Sequence, residues 1–112
     1  MKRSTVKELL GAKELDREVL LKGWVRTRRG NKQLAFIAIN DGTTIHNIQV
    51  VAELAQFDEE LIRQVSTGAA LAVRGMLVAS MGKGQQVEIQ ARSIEVLGTA
   101  DPDTYPLQKK GH

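Results

Sequence analysis

The chain has 112 residues, no cysteine, two histidines and a formal net charge of +3. Such a length suffices for one domain with its own core, and the lack of cysteine excludes a disulfide framework and a cysteine-ligated zinc site. His46 and His112 have no neighbours at metal-ligand spacing, no apolar run approaches the roughly 20 residues of a membrane span, and the N-terminus lacks a signal peptide's apolar stretch, so a cytoplasmic protein without a membrane or metal site is expected.

Ser4-Thr5-Val6-Lys7-Glu8-Leu9-Leu10 sets a hydroxyl ahead of an acid and two leucines, with Gly11 behind them, the pattern of a short capped helix of about two turns. A first strand is predicted over residues 18–28, with Gly23 permitting a bend. A second covers 34–40 and ends at the turn signal Asp41-Gly42, and a third covers 45–51. Over 55–65, Phe57, Leu61, Ile62 and Val65 fall on one helical stripe, closed by Gly68. A fourth strand is expected over 70–79, and Met81-Gly82-Lys83-Gly84 turns the chain into a fifth over 86–96. From Thr99 onward Pro102 and Pro106 punctuate an extended segment, so one domain over 1–98 and a linker over 99–112 are expected.

Three strands, a helix and two strands is the order of an all-β OB-fold, a five-stranded Greek-key barrel whose helix lies between strands 3 and 4. That fold binds oligonucleotides on its second and third strands, walled by the loops after the first and fourth. Here those loops are Arg28-Arg29-Gly30-Asn31-Lys32 and Ser80-Met81-Gly82-Lys83-Gly84-Gln85, each joining glycine to positive charge. Residues 1–33 hold ten Lys/Arg against four Asp/Glu, whereas 34–73 hold one base against five acids. The asymmetry suits a nucleic-acid footprint, and a plain solvated face would show it too.

Alternation along the strands sorts inward from outward side chains. Val19, Leu21 and Val25, then Ala35, Ile37 and Ile39, Ile48 and Val50, and Val87, Ile89 and Ala91 are the expected interior. Lys22, Arg26, Arg28, Phe36, Ala38, Asn47, Gln49, Glu88, Gln90 and Arg92 then face out, and the bend at Gly23 leaves Trp24 free to turn against the barrel end. An outward Phe36 beside the small Ala38 offers a platform for a stacked base, or else packs under a loop or another domain. The Gln49 amide donates and accepts at once, which matches uracil's N3–H and adjacent carbonyl, although an exposed glutamine is commonly only solvated. Glu88 is acceptor-only, suited to the paired N1–H and N2–H₂ of guanine; the plainer alternative is an exposed charge at a hairpin. Arg26 and Arg28 suit phosphate or base contacts, and Arg29, Lys32 and Lys83 suit phosphate. His46 reads as a surface residue.

The string GWVRTRRGNKQLAFIAINDGT over 23–43, with Ile48-Gln49-Val50-Val51 after it, resembles the N-terminal anticodon-binding domain of asparaginyl-tRNA synthetase. The aspartyl and lysyl enzymes of the same class II subgroup are similar. Tyr105-Pro106-Leu107-Gln108-Lys109-Lys110 resembles that family's connection to its catalytic domain in the asparaginyl branch. The resemblance implies an anticodon loop as partner, with Phe36 stacked on the middle anticodon base, Gln49 reading uridine at the second position and Glu88 contacting guanosine at the first. It also implies a longer, homodimeric enzyme that joins asparagine to tRNA with ATP and Mg²⁺, of which this piece would hold no catalytic residue and no cofactor. An aspartyl enzyme's domain, a stand-alone single-stranded nucleic-acid binder and a protein-binding OB-fold remain the alternatives.

Overall fold

One long strand closes the barrel. In the computed structural model, which describes residues 3–80 and 87–98, β2 (Arg17–Gly30) follows a two-residue strand β1 (Arg3–Ser4) and helix α1 (Val6–Leu10). Then come β3 (Leu34–Asn40), β4 (Ile48–Glu53), a 3-10 turn (Leu54–Gln56), α2 (Glu59–Gln64), β5 (Ala70–Ala79) and β6 (Val87–Gly98). The sheet order is β1-β2-β3-β4-β6-β5, and β2 also pairs with β5, so β2 to β6 form a closed five-stranded barrel. The OB-fold is therefore as expected from the order of elements.

β2 runs antiparallel to β5 from Arg17 to Trp24 and antiparallel to β3 from Trp24 to Gly30. At the changeover a Cβ on Gly23 would stand 2.5 Å from the Asn40 carbonyl oxygen and 2.8 Å from Ile39 Cγ2, so only glycine lets the strand pass. A second irregularity follows at once: the register with β3 slips between Val25 and Thr27, leaving Arg26 as the extra residue of a bulge. Val25 pairs with the buried Ile39, Thr27 with Ala38, Arg28 with Ile37 and Arg29 with Phe36. A one-residue shift moves every later side chain to the other face.

The interior is aliphatic. Val19, Leu21, Val25, Ile37, Ile39, Ile48, Val50, Leu71, Val73, Leu77 and Ile89 are all buried, each contributing about 1.5–3 kcal/mol of burial. Every residue assigned to the interior from alternation lies in this core. Val6 and Leu9 of α1 join it, and Val65 behind α2 does so with Phe57 and Leu61 packed alongside.

α1 begins as its sequence dictates. Thr5 is the N-cap and forms a reciprocal capping box with Glu8, while Gly11 is the C-cap. Two further N-terminal donors reach across the molecule: the Val6 N–H donates to Asp41 Oδ2 at 3.0 Å and the Lys7 N–H to Thr43 Oγ1 at 3.1 Å. Burial alone would raise the Asp41 carboxyl, but hydrogen bonds from the Thr43 hydroxyl and from the Val6 and Thr43 N–H groups outweigh it and hold the group below its ordinary 3.8.

Four expectations need correction. The helix predicted over 55–65 is broken: Phe57 is extended (φ −124°, ψ 150°), and a new helix begins at Glu59 with Asp58 at its N-cap position and no side-chain cap hydrogen bond. The third strand starts at Ile48 rather than 45, because residues 41–47 form a loop around Asn40. The Asn40 Nδ2 donates to the carbonyls of Thr44 and His46 and to Asn47 Oδ1, all within 3.1 Å. Arg28 and Arg29 belong to β2 and not to a loop; the turn is residues 31–33, closed by the Gln33 and Leu34 N–H groups donating to Asn31 Oδ1. The fifth strand runs on to Gly98. The linker expected over 99–112 and the glycine-lysine turn within 81–86 lie outside the described residues.

Candidate nucleic-acid interface

The register of four ladders lays two rows of outward side chains across the barrel. One row is Thr27 (β2), Ala38 (β3), Gln49 (β4), Glu88 (β6) and Val78 (β5). The next is Arg29, Phe36, Val51, Gln90 and Met76. Paired residues in a ladder share a face, and neighbouring strands lie about 4.8 Å apart. Phe36, Gln49 and Glu88 therefore sit on three successive strands of one outer surface. Phe36 is half-buried, with Val51 directly opposite and the small Ala38 two residues along.

The structure separates the arginines that alternation had grouped. Arg26, at the bulge, is exposed. Arg28 falls on the inner parity at the barrel's end, where its Nη1 donates to the carbonyls of Ile62 at 2.8 Å and Val65 at 2.9 Å. Those carbonyls lie at the end of α2, the Ile62 carbonyl also accepting from the Val65 N–H, so Arg28 binds that helix's C-terminal end. Its placement on the outer face is thus corrected, the bulge being the physical cause. Arg29, assigned from sequence to phosphate alone in a loop, instead shares the outer face directly beside Phe36. No signal in the string Arg26-Thr27-Arg28-Arg29 marks the slip, because it holds no apolar residue to show which side is in.

Glu88 keeps its outward parity yet is only 9% exposed. Its Oε1 accepts from Gln49 Nε2 at 3.2 Å and from Ser80 Oγ at 3.2 Å. Among the described residues no hydrogen bond reaches Oε2. The carboxylate is thus fixed by two neutral donors on one oxygen and presents the other. The expectation of a solvated charge at a hairpin fails here, and Ser80 is a residue that sequence reasoning did not single out.

Lys32 is exposed in the turn after β2. A shallow hollow of about 250 Å³ is lined by Arg28, Arg29, Gly30, Asn31, Leu34 and Ala35. A second, of about 560 Å³, lies between Lys32 and Gln33 on one side and Glu53 to Ala55 on the other. His46 is exposed. Lys83 lies outside the described residues. Among the described residues no group of three His, Cys, Asp or Glu is placed to hold a metal ion, and no helix is long and apolar enough to cross a membrane.

A closed five-stranded barrel presenting an arginine, an aromatic, an amide and a carboxylate on a single face is an OB-fold of the nucleic-acid-binding class. The family model named for the tRNA anticodon and described as the OB-fold nucleic acid binding domain matches residues 19–97. The chain belongs to that family. An asparagine–tRNA ligase of Cytophaga hutchinsonii is 55% identical over 114 aligned residues, covering 100% of this chain and 25% of the relative. One from Bacteroides fragilis is 58% identical over 110 residues, covering 98% of this chain and 23% of the relative. This chain thus spans about a quarter of the length of the curated relatives it matches. The crystal structure of asparaginyl-tRNA synthetase from Pyrococcus horikoshii superimposes with a TM-score of 0.74 over 88% of this chain and 23% of that one, at 21% identity, a likeness of fold.

Proposed function

We propose that this domain holds the anticodon loop of an asparagine tRNA, whose anticodon is GUU, and reads its first two bases. The observation that carries the reading is the single outer face shared by Arg29, Phe36, Gln49 and Glu88. Phe36 gives the middle base a stacking surface. The Gln49 amide pairs with uracil at the second position, and Glu88 accepts from guanine at the first, no hydrogen bond among the described residues reaching its Oε2. Arg26, Arg29, Lys32 and Lys83 neutralise phosphates.

The relatives' name supports the larger role: in a longer cytoplasmic, homodimeric protein this domain would select the tRNA to which asparagine is attached, with ATP and Mg²⁺ used elsewhere. An aspartate tRNA shares the first two anticodon bases, so the choice of asparagine rests on the relatives' identity. A stand-alone binder without sequence preference would spread several aromatics over the sheet, whereas the whole chain has four. A protein-binding barrel would present an apolar patch in place of Arg29, Gln49 and Glu88.

Replacing the first-position guanine by inosine removes only the N2–H₂ donor. Affinity should fall by roughly 1–3 kcal/mol, as for one lost contact to a charged group. In Glu88→Ala that penalty should largely vanish, and the double-mutant cycle isolates it. An equal inosine penalty in both proteins would show that Glu88 does not read this base.

A further inference from the structure

Trp24, the chain's only tryptophan, is 39% exposed and no part of the core, which Val25 and Ile39 fill at that point. It pairs with Asn40 across the β2–β3 ladder, and Asn40 stands two residues beyond Ala38 and four beyond Phe36 on the same side of β3. Trp24 and Phe36 therefore share the outer face, about 13 Å apart along the ladder. The exposed Thr27 and the small Ala38 lie between them. The loop of residues 41–47 folds over Asn40, whose Nδ2 donates to the Thr44 and His46 carbonyls and whose Oδ1 accepts from the Gly42 N–H at 2.6 Å. Gly42 of that loop lies beside the indole: a Cβ on it would meet Trp24 Cη2 at 3.6 Å. Lys22 and Arg26, both exposed, flank Trp24 along β2.

A lone exposed apolar side chain is ordinary on a protein surface. An indole backed by a loop, set between two cations on the face that also carries Phe36, has the parts of a surface for single-stranded nucleic acid. We propose that Trp24 is a second stacking platform, which takes a base on the 3′ side of the middle anticodon base. The inference rests on the reading given above, because that reading sets the direction of the RNA. The first base lies at Glu88 on β6 and the second at Gln49 and Phe36 on β4 and β3, and the next strand of the sheet is β2. The RNA thus advances from 5′ to 3′ toward Trp24, over the low ground of Ala38 and Thr27. Bases held on rings that far apart are unstacked from one another, the state in which single-stranded RNA is read.

The test uses the indole's own fluorescence, while anisotropy follows the binding of a labelled GUU anticodon stem-loop. At saturating RNA, Trp24 emission should be quenched and shielded from acrylamide. An abasic nucleotide at one of the two positions 3′ of the middle base should abolish both effects, and one at the first anticodon position should leave them. Trp24→Ala should weaken binding by about five- to a hundredfold, the span of base–aromatic stacking, and Trp24→Phe should recover most of it. The loop whose abasic site abolishes the effects should bind wild type and Trp24→Ala alike, with melting curves reporting the fold. If Trp24→Ala does not melt cooperatively, the fluorescence of wild type decides. A bound loop that leaves emission and accessibility unchanged would overturn the inference and leave the reading of Phe36, Gln49 and Glu88 standing. So would an indole already shielded in the free domain, which would mean that another part of the chain or a second copy covers it. Equal binding of GUU and scrambled loops would remove that reading, and the inference with it.

Discussion

Arg28 and Arg29 are adjacent in the chain and so serve opposite faces of the sheet, and the bulge at Arg26 makes Arg29, not Arg28, the one that faces out. Their truncations should therefore separate. Arg28→Ala removes the donors to the Ile62 and Val65 carbonyls and should cost about 1–2 kcal/mol in denaturant unfolding, with a smaller effect on RNA. Arg29→Ala should weaken RNA binding and leave unfolding nearly unchanged. A reversal of the two phenotypes would contradict the register. Phe36→Ala should lose roughly 1–3 kcal/mol of anticodon-loop affinity while the barrel stays folded, because the ring lies on the outer row and Ile37 carries the core at that point. A large fall in melting temperature with binding intact would place Phe36 in the core. Alternation located Phe36, Gln49 and Glu88 correctly because β3, β4 and the start of β6 alternate without a slip and carry aliphatic residues that mark the inside. It failed at Arg28 because counting by two cannot register an inserted residue. The burial of Glu88 was equally hidden, since it depends on Gln49 and Ser80 meeting it from other strands.

At the level of elements, α1 is held by its own cap and by the loop after β3. The Asp41 carboxyl is below its ordinary value, so its stabilisation is fully present above the usual carboxylate range and is lost as pH falls through the folded value. Asp41→Ala should lower stability near neutral pH by about 0.5–2 kcal/mol, the scale of a lost helix cap. The gap from wild type should narrow in acid, as followed by thermal melting between neutral pH and about pH 3. A gap independent of pH would assign the effect to packing. The cap of α1 was plain in Thr5, Glu8 and Gly11, because those signals are local. Of the stripe Phe57, Leu61, Ile62 and Val65, Val65 is buried and Phe57 and Leu61 pack against the core, whereas Ile62 is not among the core contacts, and periodicity does not tell one helix from a 3-10 turn and a helix in series. The start signal was the acidic first turn, Glu59 and Glu60 after Asp58 at the N-cap position. β1 could not be read at all, since two residues, Arg3 and Ser4, carry no pattern.

Across the whole molecule, β2 brings Arg29 onto the outer face beside Phe36, and Lys32 is exposed in the turn that follows. Neutralising Arg29, Lys32 or Lys83 should each lower the slope of log affinity against log salt by about one unit or less, with no change of preference among sequences at Lys32 and Lys83. A changed preference at either lysine would mean that it touches a base. Charge alone, however, gives affinity without choice, and the central claim is choice. The most direct measurement compares this domain's affinity for a GUU anticodon stem-loop with that for the same stem bearing a scrambled loop, at one fixed salt concentration. The account expects the GUU loop to bind tighter by at least about tenfold, the worth of one base contact. Equal affinities would contradict it, and would leave an OB-fold that holds single-stranded RNA by its phosphates.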